Sequence, residues 1–585
     1  MRLPFQAIKG QSLNAEQRSY LEGLFCGLNE RGLSFADAEP APPANPQPAL
    51  DNLIFEERVK RELHPLESYP LLLENAAEDK APDRENVFRF KWHGLFHLAP
   101  QKEGFMARLR IPAGQVKSFQ LREIARTARE LTSGYVQITT RANLQLRTIK
   151  PRDAPEVLRR IQSVGLHTRG AGADNIRNIT ANPTAGIDPH ELIDTSSFCH
   201  ELAQFIINNR EFYDLPRKFN VAFDGGGLIG TVEDTNDIGV HAVRTLRDHH
   251  DLKPGVYFRI AVGGATGHQA FARDLGVLVR PEQVLKVIIA IIRVYLANGN
   301  RTDRKKARLK HLLDSWSPGR LLDATETRLG WQLTRVDSDA TSNLFGEERQ
   351  QTPAVPHSHV GVFPQKQRGL NYIGVAVPVG QITFRQLLRL AEIAELYGSG
   401  EIRLTVWQNL IIPNISDGYV ETVKKAVRKA GLDWEQSNVR SGLIACTGNS
   451  YCKFASGNTK GHALEIAEYL EKRVKLDQPV NIHLTGCPNS CAQHYMGDIG
   501  LLATKVKVSG ETLEGYHVFV GGGFGLHQAV GRPVFQGISV EELKPTLERM
   551  VGAYMTHRQE GESFQSFTQR HDLNSLQRLF SEGGG

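Results

Sequence analysis

Met106–Gln115, MARLRIPAGQ, and Tyr372–Gln381, YIGVAVPVGQ, are one element met twice at a constant offset of 266 residues. At the same offset Thr139 matches Thr405, Asn143 matches Asn409 and Leu144 matches Leu410. Each copy reads as an apolar strand, a turn carrying Pro and Gly, an amphipathic helix and a second strand. The first helix, FQLREIARTARELT, sets apolar residues at 121, 124, 125, 128 and 131, the spacing of one helical face. The second is ITFRQLLRLAEIAELYG, and the strands beyond are YVQITTRANLQLRTI and EIRLTVWQNLIIPNI. A further element follows each copy: YFRIAVGGATGHQA from residue 257 and HVFVGGGFGLHQA from residue 517, each leading to an apolar helix. The order A-B-A′-B′ describes a duplicated α+β protein, and ligands are commonly held between such domains.

The rest of the chain sets bounds. At 585 residues with 40% hydrophobic and 23% charged side chains, it has the composition of a globular protein with a full core. A net charge of +6 is too dilute at this size for a nucleic-acid binder, and suits anionic small molecules or an acidic protein partner. The opening MRLPFQAIKG has no apolar run of the secretory kind. Val284 to Leu296 is broken by Lys286 and Arg293, so it reads as a buried helix and not a membrane span. Residues 1–38 read as polar helix, and 39–50, EPAPPANPQPAL, as an extended connector.

Four of the six cysteines stand together: Cys446 and Cys452 in CTGNSYC, then Cys487 and Cys491 in CPNSC. Two pairs, C-x5-C and C-x3-C, suffice for four thiolates around one four-iron cluster. A zinc site, which favours shorter C-x2-C spacing, and inert buried thiols are the alternatives. Six cysteines are too few for a disulfide scaffold, and grouped free thiols imply a reducing compartment, so the cytoplasm is expected. Cys26 and Cys199 stand apart and read as buried thiols.

The copies differ where chemistry is expected. Arg108 and Arg110 on the first strand face Gly374 and Ala376 at the repeat offset, and Arg141 faces Trp407. Arg108 and Arg110 are expected to share one face of a period-two strand. More basic residues follow in DNIRNIT, LPRKFN and GNRTDRKKARLK, the last holding Arg301, Arg304, Arg308 and Lys310. A charge run is usually a solvated face; here it equally suits a large anionic cofactor. The turns VGGATG and VGGGFG allow close backbone approach to an anion or are simply tight turns. Neither is a dinucleotide fingerprint, so electrons are expected from another protein.

CTGNSYC with TGCPNSC, RNIT, LPRK and the internal repeat together resemble the ferredoxin-dependent nitrite and sulfite reductases, over about residues 87–570. The resemblance implies two ferredoxin-like half-domains, each followed by an α/β siroheme or iron–sulfur domain, around a central siroheme. The expected segments are 1–85 as an N-terminal extension, 86–165 and 331–430 as half-domains, 166–330 as the siroheme and substrate domain, and 431–585 as the [4Fe–4S] domain. Cys446, Cys452, Cys487 and Cys491 would hold the cluster, with Cys491 also bridging to the siroheme iron. Arg108, Arg177, Lys218 and Asn220 would face the substrate anion. Arg141, Arg301, Arg304, Arg308 and Lys310 would pair with siroheme carboxylates. The sulfite branch tends to carry a second lysine where this chain has Asn220, so nitrite is expected as substrate, reduced to ammonium by reduced ferredoxin. Sulfite reduction is the alternative, and a cobalamin-pathway precorrin oxygenase the more distant one. A monomer binding neither nucleic acid nor membrane is expected.

Overall fold

A computed structural model describes residues 52–97, 104–336, 344–345 and 359–582, together with the two-residue strands β1 (Ala7–Ile8) and β2 (Gln11–Ser12), which pair antiparallel. This small ladder falls within the segment expected to be helical. The proline-rich connector and Cys26 lie outside the described residues. The chain divides into two units, 1–58 and 59–585, and the second carries both copies of the repeat.

The duplication is visible strand by strand. The first half-domain holds β3 (Leu95–His97), β4 (Phe105–Arg108), β5 (Gln115–Lys117), β6 (Tyr135–Ile138) and β7 (Leu144–Ile149). What reads in sequence as one strand after the helix is the hairpin β6–β7. The following domain holds β8 (Val221–Asp224), β9 (Ile238–Thr245), β10 (Gly255–Val262) and β11 (Arg273–Asp274), then the minor ladder of β12 (Val277–Leu278) and β13 (Thr334–Arg335). The second half-domain has β14 (Gly361–Pro364), β15 (Leu370–Val375), β16 (Gln381–Thr383), β17 (Glu401–Leu404) and β18 (Leu410–Ser416). The last domain has β19 (Leu443–Ala445), β20 (Ile482–Thr485), β21 (Ile499–Val508), β22 (Glu511–Val520) and β23 (Arg532–Ser539).

The half-domains exchange strands. Their sheets run β16-β6-β7-β4-β3 and β14-β15-β18-β17-β5, so each short strand after the Pro-Gly turn pairs with the other copy. Gln381 lies opposite Gln137, and Gln115 opposite Arg403, which is the same pairing carried across the repeat offset. Helices Ser118–Leu131 and Phe384–Tyr397 cover these sheets. Leu121, Ile124, Ala125 and Ala128 are buried in the first, and Leu387, Leu390, Ala391 and Ala394 in the second. One hydrophobic core runs through both half-domains.

Each half-domain reaches its neighbour through the turn that precedes the exchanged strand. Ala113 and Val379 sit there at φ 56° and 45°, a region costly for residues with a Cβ and above all for a β-branched one. Ala113 packs into the core of the first α/β domain and Val379 into that of the second. Helix Val284–Asn298 is buried in the former, with Arg293 paired to Glu211 at 2.8 Å. No helix among the described residues is long and apolar enough to cross a membrane.

The glycine-rich turns follow their tight-turn reading. A Cβ on Gly264 would stand 2.4 Å from the Asn236 carbonyl, and one on Gly522 would stand 2.5 Å from that of Tyr495. The N–H of Gly263 donates to Asp237 and that of Gly523 to Ala529, both within the protein backbone. Close chain packing explains these glycines.

Candidate active site

One cavity of about 560 Å³ is walled by both halves of the molecule. The β6–β7 hairpin contributes Gln137, Arg141, Gln145 and Arg147, while β4 contributes Arg108. The first α/β domain adds Arg177, Lys218, Asn220 and Arg308, and the last domain adds Lys460 and all four grouped cysteines. The lining thus holds seven cations and, among the described residues, no Asp or Glu. Such a wall is unfavourable when empty and selects an anion carrying several charges.

The cations are held mostly by neutral partners. Arg108 and Arg177 both donate to the Ala171 carbonyl, at 3.3 and 3.0 Å, which aims the two guanidinium groups from one point. Arg108 also lies over the Phe96 ring, 4.4 Å from its centroid. Arg141 donates to Asn236 Oδ1 at 2.7 Å. Asn220 satisfies both ends of its amide when Oδ1 accepts from Arg141 at 3.0 Å and Nδ2 donates to the Phe219 carbonyl at 3.2 Å. Arg308 is the one that grips a carboxylate among the described residues, Asp237, through two bonds of 3.0 and 2.7 Å.

Burial lowers the cavity cations except Arg308, where the Asp237 carboxylate outweighs it. Arg108 and Arg141 are lowered to about 10, and Arg177 well below its ordinary value. Lys218 falls to about 7 through burial and then the neighbouring Arg308, with Cys491 pulling the other way. Desolvated like charges of this kind gather at functional sites.

Not every expected cation lines the cavity. Arg301 is engaged with Asp214, Arg304 holds Asp174 through two bonds of 2.8 Å, and Lys310 pairs with Asp314 at 3.1 Å. Asp174 is fully buried and also has Lys60 at 3.7 Å and Arg217 at 3.9 Å, so this part of the basic run braces the wall from behind. Arg301, Arg304 and Lys310, expected to pair with cofactor carboxylates, do not line the cavity as Arg308 does, and each is engaged by an acidic side chain of the protein. Arg110, paired with Arg108 in the sequence reading, faces away and donates to the carbonyls of Arg169, Ile176 and Arg177.

Arg147 and Lys460 are cavity cations that the sequence reading missed. Arg147 donates to Gln137 and Gln145 at 2.7 Å and to Thr447 at 2.6 Å, and stands over the Tyr451 ring. Its signal was the Q-L-R alternation on β7, which puts Gln145 and Arg147 on one face. Lys460 donates to the Val379 carbonyl, and burial lowers it to about 7. No pattern in the sequence marked it.

The thiols come from two loops. Cys446 follows β19, and Cys487 follows β20. The Gly486 N–H points at Cys446 Sγ from 3.1 Å, and Asn489 Nδ2 at Cys487 Sγ from 3.5 Å, donors suited to thiolate sulfur. Glu514 on β22 secures the first loop through Asn449 at 2.6 Å and the Asn458 N–H at 2.8 Å. Thr140 ties the second to the β6–β7 hairpin by donating to the Cys491 carbonyl at 3.0 Å. Burial, then the nearby Cys446, pushes the Cys491 thiol up to about 11, so a metal must displace its proton. Among the described residues no three His, Cys, Asp or Glu side chains converge on a single-ion site. Four thiols spread along one wall suit a multinuclear cluster better than zinc. Cys199 is buried elsewhere, its Sγ 3.5 Å from the Thr180 carbonyl.

The residues therefore fit the two groups that the resemblance implies. Sulfur ligands and cations held mainly by neutral partners line one cavity, and the buried Gln137 Nε2 has no hydrogen-bond partner. A siroheme, with its many carboxylates, and an iron–sulfur cluster match that donor set.

Known proteins share this architecture. The nitrite and sulphite reductase 4Fe-4S domain matches residues 172–333 and 435–583, and the nitrite/sulfite reductase ferredoxin-like half domain matches 97–164 and 363–430. The chain belongs to the nitrite and sulphite reductase family. It is 37% identical to the ferredoxin–nitrite reductase of Synechococcus elongatus, over 80% of this chain and 89% of that protein. It is 34% identical to the chloroplastic ferredoxin–nitrite reductase of Arabidopsis thaliana, over 87% and 88%. The solved structure of the Mycobacterium tuberculosis NirA protein matches with a TM-score of 0.81 at 28% identity, covering 90% of this chain and 98% of that one.

Proposed function

We propose that this chain reduces nitrite to ammonium with electrons from reduced ferredoxin, using a siroheme coupled to a [4Fe–4S] cluster. The observation that carries the reading is a cavity in which four thiols face seven cations without an acidic residue among the described lining. Similarity to ferredoxin–nitrite reductases over most of their length supports the choice of substrate and donor.

Cys446, Cys452, Cys487 and Cys491 would hold the cluster, and Cys491 would couple it to the siroheme. Arg141, Arg147 and Arg308 meet siroheme carboxylates. When bound, the coupled pair supplies the electrons that the substrate nitrogen accepts. Arg108, Arg177 and Lys218 hold the anion. Their desolvated charges favour each increment of negative charge placed on it, in a site where water competes poorly. Lys218, lowered to about 7, can also release a proton near neutrality, which the arginines cannot. Asn220 shapes the pocket through Arg141, whose guanidinium it accepts from. One chain suffices to wall the cavity, in keeping with a monomer; its free thiols call for a reducing compartment, in keeping with the cytoplasm.

The test is steady-state turnover of cofactor-loaded protein with nitrite and with sulfite, using a chemically reduced one-electron donor. A preference for nitrite, with ammonium as product, is expected. A preference for sulfite would keep the cofactors and overturn the substrate.

A further inference from the structure

Six-electron reduction of nitrite consumes eight protons, and the proposal here rests on that reading of the cavity. For each N–O bond broken, the oxygen departs as water with two protons while the one-electron donor supplies the electrons; the remaining protons end on ammonium. Arginine holds its protons too tightly to serve. Lys218 can donate beside the substrate, but it must be recharged after each transfer.

His268 stands where that can happen. It lines the cavity and is also solvent-exposed, so it sits at the mouth. Its ring meets His311 edge-on, with centroids 5.1 Å apart and planes at 90°. His311 lies on the helix Leu309–Ser315, three residues beyond Arg308, and its Nδ1 is buried without a hydrogen-bond partner. The groups facing His268 are Arg308, His311, Lys218 and Lys310, all cationic or neutral; burial and these neighbours lower it to about 4. These neighbours favour the neutral ring, and the negative charge of a substrate anion beside Lys218 favours its protonated form, so substrate binding can draw a proton onto the imidazole. The bland reading is an ordinary surface histidine in a glycine turn, and His527 in the matching turn of the second copy is one: it is exposed and lines no part of the cavity.

We propose that His268, backed by His311, relays protons from solvent at the cavity mouth to Lys218 and the bound anion. The proton leaves an imidazole nitrogen for Lys218 Nζ or a substrate oxygen, and the neutral ring is recharged from His311 or water.

The experiment compares the holoenzyme with His268→Ala. The variant is expected to keep the absorption spectrum and a nitrite KM within about twofold, while kcat falls about a hundredfold, the lower range for a lost proton-transfer group. Added imidazole should restore part of the rate. An equilibrium readout is independent of turnover: nitrite binding to the resting enzyme between pH 5 and 6 should draw protons from a weakly buffered dye solution. The uptake should vanish in His268→Ala. Unchanged kcat, a loss that imidazole does not rescue, or undiminished proton uptake would each overturn the relay. Failure of the unaltered enzyme to reduce nitrite at all would instead overturn the functional reading.

Discussion

The two α/β domains share a scaffold and use it oppositely. Strands β8 and β9 run parallel as β20 and β21 do, at an offset of 261 residues. Asn220 and Asn481 correspond, and each backbone N–H donates at 2.8 Å to a corresponding aspartate, Asp237 or Asp498. In the first copy Arg308 grips that aspartate through two bonds; in the second the Asn481 side chain, at 3.2 Å, stands near it instead. Between the paired strands the first copy has Gly226 and Gly230 where the second has Cys487 and Cys491. The half-domains repeat the division. Arg108 corresponds to Gly374, where a Cβ would lie 2.3 Å from the His359 carbonyl, and Arg141 corresponds to the buried Trp407. Duplication supplied two equivalent walls; one became the cation wall, while its counterpart was filled in and its neighbouring loops took the sulfur ligands.

The sharpest break of this division is Cys491→Ser. A hydroxyl is a poor substitute for a thiolate at an iron–sulfur cluster. Cluster and siroheme absorption should be perturbed together and nitrite turnover should fall below detection. A normal spectrum with full activity would remove Cys491 from its place between the two groups.

Restoring symmetry should also fail. Trp407→Arg returns to the second copy the arginine of the first, but Trp407 packs against His359 and Phe524 in the hydrophobic core. A buried cation without an acidic partner costs about 3–5 kcal/mol. The apparent Tm should drop by several degrees while the Cys446 loop remains able to hold its cluster. A variant as stable as the parent would mean that the filled wall still tolerates charge.

What the sequence disclosed follows from what is local. The duplication was legible because buried helix positions recur at one offset, Leu121 with Leu387 and Ile124 with Leu390. The thiols were legible because their spacing is short and cysteine is rare here. The strand exchange of β5 and β16 was not, since a three-residue strand carries no sign of its partner. Nor was the division within 299–310. Arg308 reaches the cavity and Arg304 does not because Asp174, 130 residues away, holds the latter. Charge runs name the charge and leave the partner to the fold. Asn220, read as a substrate contact, lines the cavity, and its amide oxygen also accepts from Arg141, a relation between segments far apart in sequence.

That engagement makes Asn220→Lys a test of the cation wall. A lysine would replace the oxygen facing Arg141 with a second cation in the same crowded region. Nitrite kcat/KM should fall about tenfold, equivalent to about 1.4 kcal/mol of transition-state stabilisation, and the sulfite-to-nitrite ratio should rise. An unchanged ratio would mean that Arg141 and its partner do not set selectivity.

The other aspartate bears on stability and leaves the chemistry alone. Burial, opposed by the Asn481 bonds, pushes the Asp498 carboxyl from 3.8 up to about 7. The folded protein therefore binds more protons than the unfolded chain between those values, so stability falls as pH rises there. The contribution of Asp498 is fully present below the unfolded pKa and is lost as pH passes through about 7. Asp498→Asn keeps a neutral side chain at every pH and removes this slope, which is worth at most a few kcal/mol for a shift of this kind. Thermal unfolding at pH 5 and pH 8 should show the parent losing more stability than the variant over that interval. Equal losses would mean that Asp498 is ionised in the folded protein, and that the two domains are more alike than their salt bridges suggest.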